Sequence, residues 1–245
     1  MGLLDATDIV VRFGGLQALD AASLTVEPGC VTGLIGPNGA GKTTLFNVIT
    51  GLQRPTSGRV MLEDRDITGA KPHRRARLGV ARTFQRLEAF GSLSARENVL
   101  VAAEMRRRWA KDSQSPAELT QETLELVGIT AIADVIVDEL PTGTARLVEV
   151  ARALATKPRV LLLDEPSSGL DDDETDALGR LLLQLAERGL GILLVEHDMP
   201  FVMHTCIHID VLDFGRIIAT GNPTDIQGDA AVQAAYLGSG TGVTK

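Results

Sequence analysis

Gly36-Pro37-Asn38-Gly39-Ala40-Gly41-Lys42-Thr43 decides how this 245-residue chain is read. The run satisfies G-x-x-x-x-G-K-S/T. It follows the apolar β-type run Cys30–Ile35 and leads into a helical stretch, Thr44–Thr50, that Gly51 stops. Glycines at these spacings let successive backbone N–H groups converge on phosphate oxygens, and a helix N-terminus behind them adds its partial positive charge. Lys42 is placed to reach the β- and γ-phosphates, and the Thr43 hydroxyl to ligate Mg²⁺. Gly36 to Thr44 is therefore the candidate phosphate cradle, with ATP and Mg²⁺ as the implied cofactors.

Working outward, Asp8–Val11, Leu24–Val26 and Arg59–Glu63 read as short strands, the first two antiparallel. The middle changes character. Ala95–Arg108, Pro116–Val127 and Thr144–Ala155 read as helices, with the polar Lys111–Ser115 as a loop. From Val160 the alternation of strand and helix resumes: Val160–Leu163 and Ile192–Val195 are fully apolar strands, and Asp172–Arg188 is an amphipathic helix. That order favours a parallel sheet flanked by helices. Ile209–Asp213 and Ile217–Thr220 flank Phe214-Gly215-Arg216 as a hairpin. A short polar tail follows Gly238.

The second chemical element is Val160-Leu161-Leu162-Leu163-Asp164-Glu165. An apolar strand ending in Asp164 sets a carboxylate at the sheet edge, where it can hold the metal through water. Glu165 follows directly and can act as general base on an attacking water.

Asp164-Glu165-Pro166-Ser167-Ser168-Gly169-Leu170-Asp171 resembles the joined Walker B and D-loop of ATP-binding cassette proteins. Further elements of that family fall in order: Gln85 in Arg82-Thr83-Phe84-Gln85 matches the glutamine loop, His197 in Val195-Glu196-His197-Asp198 the switch histidine, and Phe13 the aromatic that stacks on adenine. The resemblance implies an α/β P-loop NTPase (ABC ATPase) core with an antiparallel β subdomain and an inserted helical subdomain. The core takes residues 1–87 and 156–245, and the insertion 88–155. It also implies catalytic roles for Glu165, His197 and Gln85, and metal contacts from Thr43, Gln85 and Asp164.

One family element is degenerate. The signature, commonly Leu-Ser-Gly-Gly-Gln, aligns with Leu140-Pro141-Thr142-Gly143-Thr144, so Pro141 removes a hydroxyl and a backbone N–H. In the family this run completes the ATP site of a second cassette. A heterodimer with a cassette of intact signature is the expectation, a homodimer the alternative.

Arg12-Phe13-Gly14-Gly15-Leu16-Gln17-Ala18-Leu19, Ala81–Gln85, Glu97-Asn98-Val99, Val195–Met199 and the ending Ala234-Ala235-Tyr236-Leu237-Gly238 are most similar to the ATP-binding subunits of branched-chain amino-acid importers. Urea and short-amide importers, and the ATPase of lipopolysaccharide export, are similar too. The resemblance implies transmembrane permease subunits as partners, with a solute-binding protein met only indirectly. Gln85, Leu87 and Phe90 are expected to line a groove for a short permease helix. A cassette acting on DNA or ribosomes uses the same motifs, but commonly fuses two cassettes or inserts long coiled coils, and this sequence has neither. A regulatory cassette that binds ATP without cleaving it is disfavoured by Glu165 and His197.

Composition agrees. A net charge of −8 argues against broad nucleic-acid binding. No apolar run nears the ~18 residues of a membrane span, and Met1-Gly2-Leu3-Leu4-Asp5 lacks signal-peptide character. A peripheral place on the cytoplasmic face of the inner or plasma membrane is expected. Cys30 and Cys206 are read as reduced, buried thiols. Asp171-Asp172-Asp173-Glu174 is read as a helix start favoured by the dipole. His204 and His208 are read as separated by a helix-to-strand change, and the basic residues of Lys71–Arg86 as a solvated face.

Overall fold

The computed structural model describes residues 2–110 and 113–238. Lys111 and Asp112 of the polar stretch, and the tail after Gly238, lie outside the described residues.

Two long strands come first, β1 (Leu4–Phe13) and β2 (Leu16–Val26). They pair antiparallel, as expected, but run further than the sequence pattern suggests. Register shifts near Ile9, with Asp8 at φ +52° and Ala21 at φ +54°, break the two-residue alternation that marks a strand. β3 (Val31–Ile35), α1 (Lys42–Thr50), β4 (Ser57–Leu62) and the short β5 (Arg65–Asp66) follow. Then come α2 (Pro72–Leu78) and β6 (Val80–Arg82).

Three helices succeed these: α3 (Ala95–Arg107), α4 (Pro116–Val127) and α5 (Thr142–Leu154). Ser94 with Glu97 and Ser115 with Glu118 form reciprocal capping boxes that fix the starts of α3 and α4, and Gly128 ends α4 in a left-handed conformation. The remaining elements are β7 (Val160–Asp164), α6 (Asp172–Glu187), β8 (Gly191–Val195), α7 (Met199–Thr205), β9 (His208–Asp213), β10 (Arg216–Gly221), α8 (Pro223–Gly228) and α9 (Ala230–Gly238). Asp171 caps α6 and accepts the Glu174 N–H at 2.8 Å, so the acidic run does begin a helix. His204 lies on α7 and His208 on β9, separated as read from the sequence.

Among the described residues the strands form two sheets. One has the order β2-β1-β4-β5, with its neighbours antiparallel. The other has the order β10-β9-β3-β8-β7-β6 and is parallel except for the hairpin strand β10 at its edge. β3, β7 and β8 are buried along their whole length because both faces of this sheet are covered. Leu161, Leu163, Ile192 and Leu194 join a core shared with α5, α6 and α7. Leu162, Leu193 and Val195 face a second core shared with α1 and the antiparallel sheet. The carboxyl ends of β3 and β7 lead into the phosphate-binding loop and Glu165.

The basic stretch from Lys71 to Arg86 departs from expectation, because Arg75 and Arg82 are not solvated. Arg75 is buried on α2 and donates to the carbonyls of Val48 and Ile49, both at 2.6 Å, and to those of Thr68 and Ala70. It thus places a positive charge and its donors on carbonyls at the C-terminal end of α1, where the Val48 carbonyl also accepts from the Gly51 N–H at 3.2 Å. Burial lowers its pKa to about 10. Arg82, on β6, turns inward to Asp164.

Candidate nucleotide site

The loop after β3 owes its shape to glycine. Gly36, Gly39 and Gly41 have φ of +149°, +82° and +111°. A Cβ on Gly36 would lie 1.9 Å from the Leu212 carbonyl oxygen, so only glycine lets the loop pass β9 this closely. α1 starts at Gly41 with no side-chain cap and no acidic residue in its first turn. Its leading N–H groups therefore have no side-chain acceptor, as an anion-binding helix start requires.

Lys42 is buried, with Nζ donating to the carbonyls of Gly36 at 2.6 Å and Pro37 at 3.0 Å. Desolvation lowers its pKa, and the nearby charges of Glu165 and Asp164 act in the opposite direction. A cavity of about 540 Å³ opens in front of this loop. Asn38, Gly39, Ala40, Gly41, Lys42, Thr43 and Thr44 line it, together with Phe13, Gln85, Asp164, Glu165 and His197. Gly36 and Pro37 do not line the cavity; their carbonyls hold Lys42 from behind. Phe13 is 49% exposed at the end of β1, available to a ligand rather than packed in the core.

Glu165 has φ +51°, unusual for a residue with a side chain, and its N–H is tied to the Val195 carbonyl at 2.8 Å. That turn directs its carboxylate toward two other site residues. His197 Nε2 lies 2.8 Å from Oε1, and Gln85 Nε2 lies 3.3 Å from both oxygens. Two residues far apart in sequence thus converge on the Glu165 carboxylate. Asp164, buried at the end of β7, shares its cavity with the Thr43 hydroxyl and the Gln85 amide. A carboxylate, a hydroxyl and an amide oxygen beside a phosphate cradle suit Mg²⁺, which takes few protein ligands and completes its shell with phosphate and water.

Three supporting residues escaped the sequence reading. Arg82 Nη2 donates to Asp164 Oδ2 at 2.8 Å and Nη1 to Asn47 Oδ1 at 2.6 Å, with its guanidinium over the rings of Phe84 and Phe46 at 4.8 and 5.2 Å. Glu196 is buried and accepts from the Ser167 N–H and hydroxyl at 2.8 and 2.6 Å, and from the His197 N–H at 3.0 Å. It joins the loop after Glu165 to the loop that carries His197. Arg146 of α5 donates to the carbonyls of Ser168 at 2.8 Å and Gln85 at 2.9 Å, tying the helices to both loops. No local sequence pattern marks these three; each is defined by partners that the fold brings to it.

α5 begins at Thr142 with Pro141 in the cap position and no side-chain cap. A Cβ on Gly143 would meet Leu170 Cδ2 at 2.6 Å and the Gly169 carbonyl oxygen at 2.8 Å, so this glycine is needed where α5 crosses the loop after Glu165. Cys30 and Cys206 are both free; Cys206 is buried but Cys30 only half-buried. Among the described residues no helix is long and apolar enough to cross a membrane.

Known proteins resemble this chain in sequence and in fold. A family model for ABC transporters matches residues 19–168, and one for branched-chain amino acid ATP-binding cassette transporters matches residues 216–241. The high-affinity branched-chain amino acid transport ATP-binding protein BraF of Pseudomonas aeruginosa is 39% identical over 96% of this chain and 98% of its own length. The lipopolysaccharide export system ATP-binding protein LptB of Haemophilus influenzae is 34% identical over 97% of this chain and 98% of its own. A crystal structure of the ADP conformation of an ATP-binding cassette of an ABC transporter aligns with a TM-score of 0.86 at 33% identity, covering 97% of this chain and 99% of that one. The phosphate loop, the carboxylate at the end of β7 and likeness over nearly the whole length lead to one conclusion: this chain belongs to the ABC transporter family, as an ATP-hydrolysing, nucleotide-binding cassette subunit.

Proposed function

We propose that the chain powers import of branched-chain amino acids through separate membrane permease subunits, working at the cytoplasmic face of the inner or plasma membrane. The hydrolytic part rests on one observation, the Glu165 carboxylate held by His197 and Gln85 in the same cavity as Lys42. The choice of solute rests on the likeness carried by residues 216–241.

In this reading Phe13 stacks on adenine and the backbone from Asn38 to Thr44 cradles the phosphates, with Gly36 and Pro37 shaping the loop behind Lys42. Lys42 leaves the carbonyls of Gly36 and Pro37 for the β- and γ-phosphates. Thr43, Asp164 and Gln85 would hold Mg²⁺, which would supply positive charge to offset that of the phosphate oxygens. Glu165 takes the proton from the attacking water, and His197 orients that carboxylate and contacts the γ-phosphate.

Residues 1–87 and 156–245 act as the nucleotide-binding core and 88–155 as the helical part, with Arg146 linking them at Gln85. A cavity of about 390 Å³ beside this junction suits a short permease helix. Phe84, Glu88, Met105 and Trp109 line it; Leu87 and Phe90 are exposed but lie outside its lining. Because Pro141 leaves α5 without a capping hydroxyl, the second cassette of the complex is one with an intact signature. The site on this chain's phosphate loop is then the active one, unless Thr142 or Thr144 supplies a substitute hydroxyl to the other.

Reconstitution with the membrane subunits and solute-binding protein in vesicles tests the solute. ATP-dependent uptake of labelled leucine is expected. Uptake of urea or an amide without leucine would replace the solute and leave the ATPase assignment standing.

A further inference from the structure

Phe214 sits at the tip of the β9–β10 hairpin, 88% exposed. With Gly215 it makes the two-residue turn, at φ +41° and +78°. Two successive left-handed residues are the geometry that Asn-Gly or Asp-Gly adopts readily, and a phenylalanine there is strained as well as exposed to water. The hairpin itself has no need of that ring.

The turn is nonetheless held firmly. The Gly215 N–H donates to the Ala40 carbonyl at 2.9 Å, its own carbonyl accepts from the Asp20 N–H at 2.8 Å, and Arg216 Nε donates to Asp20 Oδ2 at 2.6 Å. The tip is thus tied to the phosphate loop on one side and to β2 on the other. It brings Phe214 to the lining of the nucleotide cavity, alongside Phe13 and the 68%-exposed Leu16 from the β1–β2 turn. Two turns from different sheets therefore present apolar side chains to a cavity lined elsewhere mainly by the phosphate loop and by polar groups such as Gln85, Asp164, Glu165 and His197.

We propose that Phe214 is a second base-binding residue, giving a purine nucleotide an apolar contact in addition to that of Phe13. The inference rests on reading the cavity as the ATP site. A base that covers the ring accounts for both costs, the exposed apolar surface and the left-handed backbone, which the fold leaves unexplained.

The full-length chain carrying Phe214→Asn separates binding from folding, because asparagine suits the turn. Its affinity for a non-hydrolysable ATP analogue and for inorganic tripolyphosphate is measured beside the wild type and Phe13→Ala, together with melting without nucleotide. Phe214→Asn is expected to weaken the analogue by about fivefold or more, the order of one lost base–aromatic contact. Tripolyphosphate affinity should stay within about twofold, less than 0.5 kcal/mol. The melting temperature should rise. Unchanged analogue affinity, as from a ring that meets a protein partner instead, overturns the assignment. So does equal loss for both ligands, or a lower melting temperature, either of which makes the ring structural. If the wild type fails to bind the analogue, or Phe13→Ala binds it fully, the site reading itself fails; loss with Phe13→Ala alone overturns only the role of Phe214.

Discussion

Arg82→Met isolates the buried charge pair behind the site. Methionine keeps much of the apolar stem between Phe46 and Phe84 but removes every donor. Asp164 would then lose its 2.8 Å partner while its side chain remains 4% exposed, and Asn47 would lose a 2.6 Å hydrogen bond. Breaking a buried pair from one side costs about 3–5 kcal/mol, because a desolvated charge is left behind. The Asn47 bond adds about 1 kcal/mol where it acts independently. Urea unfolding without nucleotide or divalent metal, followed by the fluorescence of the single tryptophan, Trp109, measures the loss. Arg82→Met should lower the unfolding free energy by about 4–6 kcal/mol. The double variant Arg82→Met, Asp164→Asn should recover much of it, since the stranded charge is gone. Additive losses, or a single-variant effect below about 1 kcal/mol as for exposed pairs, would refute the reasoning.

Lys42→Ala should weaken ATP binding as well as turnover, since the ammonium meets the phosphates before chemistry begins; equilibrium binding of a fluorescent ATP analogue checks this, and full affinity would remove Lys42 from the cradle. Cys206 should resist thiol reagents in the folded chain while the half-buried Cys30 reacts, because burial, aided by the Glu196 charge, raises the Cys206 pKa to about 12. The sign follows from the unfolded thiol ionising first, near 9.0. The stability that Cys206 contributes is complete below that pH and is lost as pH rises toward 12, which unfolding curves of wild type and Cys206→Ala across that window resolve.

Much of the fold is legible where local chemistry is strong. Ser115-Pro116 with Glu118, and Gly128 beyond Val127, give α4 the bounds that the structure has. The apolar runs at Val160 and Ile192 read as strands buried on both faces, and the structure has them so. β1 and β2 read short because bulges at Asp8 and Ala21 interrupt their alternation. α2 has no apolar stripe to betray it, since the residue it buries is Arg75, whose carbonyl partners lie on α1 and the chain before α2. In the site, each motif is visible as a string, and Phe13, Lys42, Glu165 and His197 all meet in one cavity. Arg82, Arg146 and Glu196 are not visible in the same way. Their significance lies in partners such as Asp164, Gln85 and Ser167, which the fold supplies and no local pattern announces.

The claim that this chain hydrolyses ATP with Glu165 as base is tested most directly by Glu165→Gln in the complete transporter, comparing ATP binding with steady-state turnover. Glutamine keeps the shape of the side chain and removes its basicity. ATP affinity should stay near that of the wild type while turnover falls by about 100-fold or more, the contribution of a general base. Turnover within a few-fold of the wild type would contradict the account.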